Sequence, residues 1–412
     1  MGKNKKYDGY KPFEYLEEGV DYKEFELPCK NDMFWADPYD VPLSKAERER
    51  VNKLAENSIF ISLHDHPVLW PKPEEIYEYH AENRLYTAYE WLSKSTWDAV
   101  FDNLQSSTRR ISSENPWKFQ DVVYDIGMRL SDIAHQDFLI HGKSIKDIQQ
   151  AKDEGKLALI LAHESSSMIE KEVDRIDILY GLGIRMMGIV YNDTNYLGTG
   201  LGEKQDGGLS EFGRKAVQRM NKIGMAIDVS HAGINTSLDT FEVSDKPIFI
   251  THAGSKNVWN IERLKEDEVL KACAETGGII GIEAAPHSTV SETHPRHSID
   301  SFMDHFEYIV DLVGLDHVSF GPDTLYGDHV GLHRALAGDV GLQNFTREGY
   351  DVMKTFTEEG EETPEREGVK GLENPTECSN NIVRWLVKHG YSDKEIKKVM
   401  GGNTLRVLEE VW

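Results

Sequence analysis

The stretch LALILAHE at 157–164 decides the fold, because an unbroken apolar run ends there in a metal-binding side chain. The same arrangement recurs in SIFISLHDH at 58–66, GMAIDVSH at 224–231 and PIFITH at 247–252. Short apolar runs rich in β-formers are typical of buried strands. Each predicted strand therefore presents histidine or glutamate at its C-terminal end, where the backbone holds the side chain in place.

The side chains at these strand ends are of types that bind metal ions. They are His64, His66, Glu164, His231 and His252. Imidazole and carboxylate suit zinc and related ions, and a carboxylate can bridge two ions whose shared water ionises near neutral pH. A lone HxH or a single strand-end acid is common without a metal, but their joint occurrence at successive strand ends indicates a site. We therefore predict a metal-dependent hydrolase that binds two divalent ions, with zinc as the expected metal.

The rest of the chain alternates between strand and helix patterns. Strands are predicted at 59–63, 99–104, 157–162, 184–190, 224–229, 247–251, 278–283 and 317–321. Intervening segments such as 211–224 and 265–278 carry helical periodicity and end at glycine. This order predicts an α/β fold with a (β/α)₈ TIM barrel, whose strands all end at one mouth. An open doubly wound sheet is the alternative, but it gathers a site only at its switch point.

Asp323 follows the last predicted strand, in the stretch VSFGPDTL. It is either a turn aspartate after proline or a catalytic carboxylate. At the mouth of a barrel it would lie beside the metal ligands, where a carboxylate can accept the proton of an attacking water. We predict the catalytic role.

The chain divides into an extension that precedes the barrel and a longer region that forms it. Residues 1–43 are an N-terminal extension rich in aromatic and acidic residues, whereas disordered tails are poor in aromatics, so we expect it to pack on the body or on a neighbouring subunit. Ser44 and Glu47 form a predicted capping box that begins a helix running to about residue 57. Residues 44–412 are predicted to be the hydrolase barrel, ending in helices.

Composition excludes several function classes. The net charge of −25 argues against nucleic acid or an anionic membrane surface as a partner. The sequence lacks the run of about 20 apolar residues that spans a bilayer, and MGKNKKYDGYK lacks the apolar core of a signal peptide. We expect a cytoplasmic protein with a small-molecule substrate. Cys29, Cys273 and Cys378 are too widely spaced for a metal motif and are expected to be reduced.

Longer stretches resemble a known family. They are GKLALILAHES at 155–165, LYGLGIRMMGIVYNDTNYLG at 179–198, GGLSEFGRKAVQRMNKIGMAIDVSH at 207–231, PIFITHAGSKNVWNIERLKEDEVL at 247–270, VSFGPDTL at 318–325 and GYSDKEIKKVMGGNTLRVLEEVW at 390–412. From about residue 45 onward the chain resembles the renal or membrane dipeptidases, the M19 metallopeptidases of the amidohydrolase-like barrels.

The resemblance implies a role for each site residue. The two histidines of the first strand would hold one metal, the two later histidines the other, and Glu164 would bridge them. Asp323 would pair with the bridging water, and Arg263 would bind the terminal carboxylate of the substrate, for which a guanidinium fork is well shaped. The implied reaction is cleavage of an amide bond in a dipeptide-like substrate by a metal-bridging hydroxide. The family's habit of pairing also implies a homodimer.

Two positions depart from the family pattern. His66 stands where the family has the aspartate of a His-x-Asp motif, which makes the metal pair more electrophilic. Tyr191 stands where dipeptidases carry a histidine that contacts the substrate and the oxyanion; its hydroxyl can still donate a hydrogen bond there. An aspartate common two places after the catalytic one is replaced by Leu325. These departures keep open hydrolysis of a non-peptide amide, lactam or lactone, and, less favoured, a catalytically silent binding barrel.

Overall fold

A computed structural model describes residues 5–27, 36–82, 84–104, 117–286, 288–332 and 368–412. Its strands in chain order are β1 (Ile61–Leu69), β2 (Tyr86–Thr87), β3 (Ala99–Asn103), β4 (Leu139–His141), β5 (Leu157–His163), β6 (Met186–Gly188), β7 (Ala226–Asp228), β8 (Phe249–Ala253), β9 (Ile279–Ile282), β10 (Val318–Phe320) and β11 (Leu325–Tyr326).

Helices cover most of the segments between the strands. They are α1 (Lys45–Asn57), α2 (Ile76–Glu82), α3 (Tyr89–Ser93), α4 (Phe119–Ala134), α5 (Ile145–Glu154), α6 (Asp174–Gly181), α7 (Glu211–Ile223), α8 (Ile234–Val243), α9 (Asp267–Glu275), α10 (Ile299–Val313), α11 (Pro375–Lys388), α12 (Asp393–Lys397) and α13 (Asn403–Val411).

The described residues form an 11-stranded sheet, in which β4 and β11 add in parallel and β2 antiparallel to a central path of eight parallel strands. Their spatial order is the chain order, β1, β3, β5, β6, β7, β8, β9 and β10. The two ends of this path meet where the N–H of Asp323, just after β10, donates to the carbonyl of His64 in β1 at 2.9 Å. Each of the eight strands overlaps one of the predicted segments. The predicted (β/α)₈ barrel is confirmed, and the doubly wound alternative is wrong because the strand order never reverses.

The strands are apolar on both sides, as parallel strands covered by helices must be. In β5, Leu159 and Leu161 belong to one buried cluster, whereas Ala158 and Ile160 belong to a second one. The second cluster also contains Val407 and its neighbours from α13, so the C-terminal helix packs against the barrel strands. Burial on both faces explains why these strands read as continuous apolar runs with polar residues only at their ends.

Residues at the helix termini also determine where several helices begin and end. The Ser44 hydroxyl accepts from the N–H of Glu47, whose carboxylate accepts from the N–H of Ser44, so the predicted capping box begins α1. Gly224 ends α7 with φ of 76°, a left-handed conformation in which a side chain is costly. These ends set the length of each crossover and hence where the following strand begins.

The described part of the N-terminal extension packs on the body of its own chain. Asp132 in α4 is the main anchor: one carboxylate oxygen accepts from the N–H of Phe13 at 2.8 Å and from the Tyr10 hydroxyl at 2.9 Å. Its other oxygen accepts from the Tyr89 hydroxyl at 2.7 Å. The Phe13 side chain is 1 % exposed, so its burial and these bonds hold the extension in place.

Replacing Asp132 by alanine is expected to release the extension. The change leaves the buried N–H of Phe13 and two tyrosine hydroxyls without their acceptor, at a cost of about 2 kcal/mol or more. Urea unfolding should show the lower stability, and limited proteolysis should cut the extension earlier. Asp137→Ala is a matched control, since Asp137 is 88 % exposed. Equal proteolysis of both variants would contradict the anchoring role.

Cys273 and Cys378 are buried free thiols, as expected, and Cys29 lies outside the described residues. Within those residues, no helix combines the length and the apolar character that crossing a bilayer requires.

Candidate metal centre and active site

The five predicted ligands come together at the C-terminal ends of the barrel strands. His64 and His66 lie within β1, Glu164 directly follows β5, His231 comes shortly after β7, and His252 lies in β8. All five are at most 5 % exposed. Their convergence follows from the fold, because parallel barrel strands all end on the same face.

The backbone around Glu164 is closely packed. Gly188, at the end of the neighbouring strand β6, leaves no room for a side chain, because an added Cβ would lie 2.0 Å from the carbonyl oxygen of Glu164. A glycine at this position therefore lets β6 approach closely and helps to place the glutamate.

Glu164 lies between two pairs of histidines. Its Oε1 is 3.4 Å from Nε2 of His66 and 3.8 Å from Nε2 of His64. Its Oε2 is 3.4 Å from Nε2 of His231, which in turn lies 2.9 Å from Nε2 of His252. One carboxylate oxygen thus faces each pair, which is the arrangement that a bridging ligand requires.

Hydrogen bonds on the far side of the rings set the tautomers. Nδ1 of His66 lies 2.9 Å from the carbonyl of Asn103, and Nδ1 of His231 lies 2.8 Å from Oδ1 of Asn192. Because both partners accept, each Nδ1 carries a proton and donates. The Nε2 atoms of His66 and His231 therefore face the cluster, where each can offer a lone pair to a metal once it carries no proton, as metal-ligating histidines do when an outer oxygen orients them.

Unsatisfied polar atoms show that these residues fit a metal ion. Nε2 of His64 and Oε1 of Glu164 are buried with no hydrogen bond. Buried polar atoms without partners are rare, and a site for a bound ion is one of their ordinary explanations. In the part of the chain that the structure describes, three groups of side chains have ligand atoms within 4.8 Å of one another: His64, Glu164 and His252; His64, His66 and Asp323; His252, Glu283 and Asp323.

The electrostatics of the cluster agree with this fit. Burial opposes a charge on His66, but its hydrogen bond to Asp323 and the charges of Glu164 and Asp323 raise its pKa to about 9. Burial and the charge of Arg263 lower the pKa of His231 to about 4. His66 therefore attracts a positive charge, whether a proton or a metal, and His231 offers a neutral imidazole ligand.

Asp323 lies against the first histidine pair. Its Oδ1 is 3.1 Å from Nε2 of His66 and 3.2 Å from Nε2 of His64. Burial opposes ionisation, but the charge of His64 and the hydrogen bond from His66 hold the pKa of Asp323 well below the usual range. Its φ of 59° is left-handed, a conformation that aspartate and asparagine tolerate better than most residues. Asp323 is thus ionised and fixed beside the ligands.

Tyr191 packs directly on a predicted ligand. Its ring stacks on His231 with centroids 4.1 Å apart and planes 22° apart, and Trp117 contacts it edge-on at 5.1 Å. The tyrosine therefore lies at the site, and its ring orientation is set by these two neighbours.

Arg263 reaches the site but already has a carboxylate partner. Its Nη2 pairs with Oε2 of Glu283 and donates to the carbonyl of His252 at 3.1 Å. Glu283 directly follows β9 and is fully buried. Burial raises the pKa of Glu283 to about 7, against the charge of Arg263. Sequence reasoning missed Glu283, although an acid directly after the apolar run IIGI is the same signal that identified Glu164.

Comparison with known proteins gives the family. The model of the membrane dipeptidase family, peptidase family M19, matches residues 49–340 and 364–412. The chain belongs to this family. The predicted resemblance is confirmed, and this M19 family member is a hydrolase of the metallo-dipeptidase type.

Individual relatives agree with the assignment. A protein named dipeptidase verJ from Clonostachys rogersoniana is 23% identical over 407 residues, covering 98% of this chain and 83% of its own. An amidohydrolase structure from Pseudomonas aeruginosa superposes with a TM-score of 0.68 at 26% identity, covering 88% of this chain and 99% of its own. A metallopeptidase from Rhodobacter sphaeroides, solved with a phosphinate mimic of L-Ala-D-Ala, has the same fold, with a TM-score of 0.63 at 18% identity, covering 86% and 100%.

Proposed function

We propose that this M19 family member is a binuclear metal-dependent hydrolase that cleaves an amide bond in a small, dipeptide-like, carboxylate-bearing substrate. The observation that carries the proposal is the position of Glu164, with one oxygen toward each histidine pair. His64 and His66 would hold one ion, His231 and His252 the other. Zinc is the expected metal because nitrogen and carboxylate ligands suit it.

When bound, the ions would supply a hydroxide near neutral pH and polarise the substrate carbonyl. Asp323 would accept the proton of the attacking water at Oδ1 while the water oxygen bonds to the carbonyl carbon. When the carbon–nitrogen bond breaks, Asp323 would return that proton to the leaving amine. The hydroxyl of Tyr191 would donate a hydrogen bond to the carbonyl oxygen as it gains charge.

Arg263 is the proposed anchor for the substrate carboxylate, since a guanidinium can bind a carboxylate through two hydrogen bonds. Its ion pair with Glu283 favours a second candidate function. In this alternative the same centre hydrolyses a non-peptide amide, a lactam or a lactone whose group facing Arg263 is neutral. The bond-breaking residues are the same in both candidates.

An assay of the zinc-loaded protein tests the proposal. We expect turnover of at least one amide substrate from a panel of dipeptides, N-acyl amino acids, lactams and lactones, with loss of activity after chelation and recovery on adding metal. Dipeptide hydrolysis at kcat/KM within the usual enzyme range of about 10⁴–10⁸ M⁻¹s⁻¹ would establish the first candidate. Turnover restricted to lactones or lactams would establish the second, and metal-independent turnover would contradict both.

A further inference from the structure

We propose that Glu283 determines substrate specificity by occupying Arg263, so that the site discriminates against a free carboxylate at this position and accepts a neutral group instead. The inference rests on the proposed function for its reaction and deepens it by naming the group next to the scissile bond. Within that function it sets aside the carboxylate-bearing substrate of the first candidate, for which Arg263 is the anchor, and favours the second candidate, whose group facing Arg263 is neutral.

The position of Glu283 is fixed by the barrel. Its N–H donates to the carbonyl of Ala253 in β8 at 3.1 Å, and its own carbonyl accepts from the Thr289 hydroxyl at 2.8 Å. The carboxylate therefore projects from a backbone held on both sides. It is fully buried and pairs with Arg263, whose side chain is only 6 % exposed.

The ion pair of Arg263 and Glu283 lies beside the proposed metal ligands, so it would face a bound substrate. Carboxylate oxygens of Glu283 and Asp323 and a ring nitrogen of His252 all lie within 4.8 Å of one another. Arg263 also donates to two backbone carbonyls, that of His252 at 3.1 Å and that of Ser230 at 3.5 Å. The guanidinium thus has its position set and its charge matched before a substrate arrives.

A substrate carboxylate would meet unfavourable charges here. It would have to share or displace the Glu283 contact to Arg263, and it would approach two carboxylates of like charge in a buried site. Like charges in such a site disfavour each other strongly. A carboxamide or ester meets no such penalty, because its oxygen accepts a hydrogen bond without adding charge. The net-neutral pair therefore suits a neutral polar group.

Binding measurements test this inference without depending on turnover. The probes are a dipeptide phosphinate with a free C-terminal carboxylate and the same compound as the C-terminal carboxamide. Isothermal titration of the zinc-loaded wild type should show that the acid binds no more tightly than the amide. Glu283→Gln keeps the size and removes the charge, and it should tighten the acid relative to the amide by about 10-fold or more, the usual value of a charged hydrogen bond.

Three further variants sharpen the test. Glu283→Asp keeps the charge and should keep a ratio near that of the wild type. Arg263→Gln combined with Glu283→Gln should remove the gain, because no guanidinium remains to bind the acid. Glu275→Gln removes one charge from the exposed end of α9 and should change nothing. Thermal melts and elemental analysis check that each variant is folded and loaded.

The possible outcomes are distinguishable. An acid-to-amide ratio that is unchanged in Glu283→Gln, or a wild type that already prefers the acid by 10-fold or more, overturns the inference while the proposed function stands. If neither phosphinate binds wild type or variants, the dipeptide-like candidate fails and the inference fails with it. A gain in Glu283→Gln that is lost in the double variant supports the specificity role.

Discussion

Asp323→Asn is expected to lower kcat by about 10²–10⁴-fold, the usual contribution of a general base. In the structure this carboxylate lies 3.1–3.2 Å from the two histidines of β1 and is held ionised by them. Asparagine keeps the shape and the contacts of one oxygen but cannot take a proton. It also tolerates the left-handed φ of 59° at this position, so the backbone should stay in place.

The measurement is steady-state kinetics on protein loaded with zinc, with metal content determined on the same sample. Most of the metal should remain, because the histidines and Glu164 are untouched. Asp311→Asn is the matched control, since Asp311 is exposed on α10 and the change in charge is the same. A near-normal rate in Asp323→Asn would remove this residue from the mechanism.

Periodicity and strand ends carried most of the fold prediction. Strands such as β5 are buried on both faces, so an apolar run marks them without help from any other part of the chain. A barrel brings every strand end to one mouth, so residues as far apart as His64 and Asp323 could be placed together from the pattern alone. In the structure the two residues are indeed neighbours, since the N–H of Asp323 donates a hydrogen bond to the carbonyl of His64.

Contacts that depend on three-dimensional neighbours were not predictable in the same way. No sequence signal says that Asp132 anchors Phe13, because the partners are separated by α1 to α3 and several strands. The pairing of Arg263 with Glu283 is similar. The type and position of each residue suggest a role for it alone, but the ion pair appears only when the residues after β8 and β9 are packed together. The stacking of Tyr191 on His231 likewise sets a ring orientation that residue type alone leaves open.

Metal content is the remaining test of the centre, and two variants should affect it differently. His231→Ala removes a proposed ligand from one histidine pair only, so we expect loss of about one of two zinc equivalents. Glu164→Gln keeps the size but removes the charge of a side chain whose two oxygens face the two pairs. A neutral amide is a poor bridging ligand, because divalent ions share a bridge through its negative charge.

Glu164→Gln should therefore bind the least zinc of all variants and lose activity to the detection limit. Elemental analysis after dialysis against a weak chelator gives the stoichiometry, and Glu172→Gln, an exposed glutamate in the same βα connection, is the control. The expected zinc content falls from wild type to His231→Ala and is lowest in Glu164→Gln. This order follows because each oxygen of Glu164 faces a different histidine pair. If Glu164→Gln kept as much zinc as His231→Ala, each ion would be held by its own histidines, and Glu164 would act as a terminal ligand or as a counter-charge rather than as the bridge.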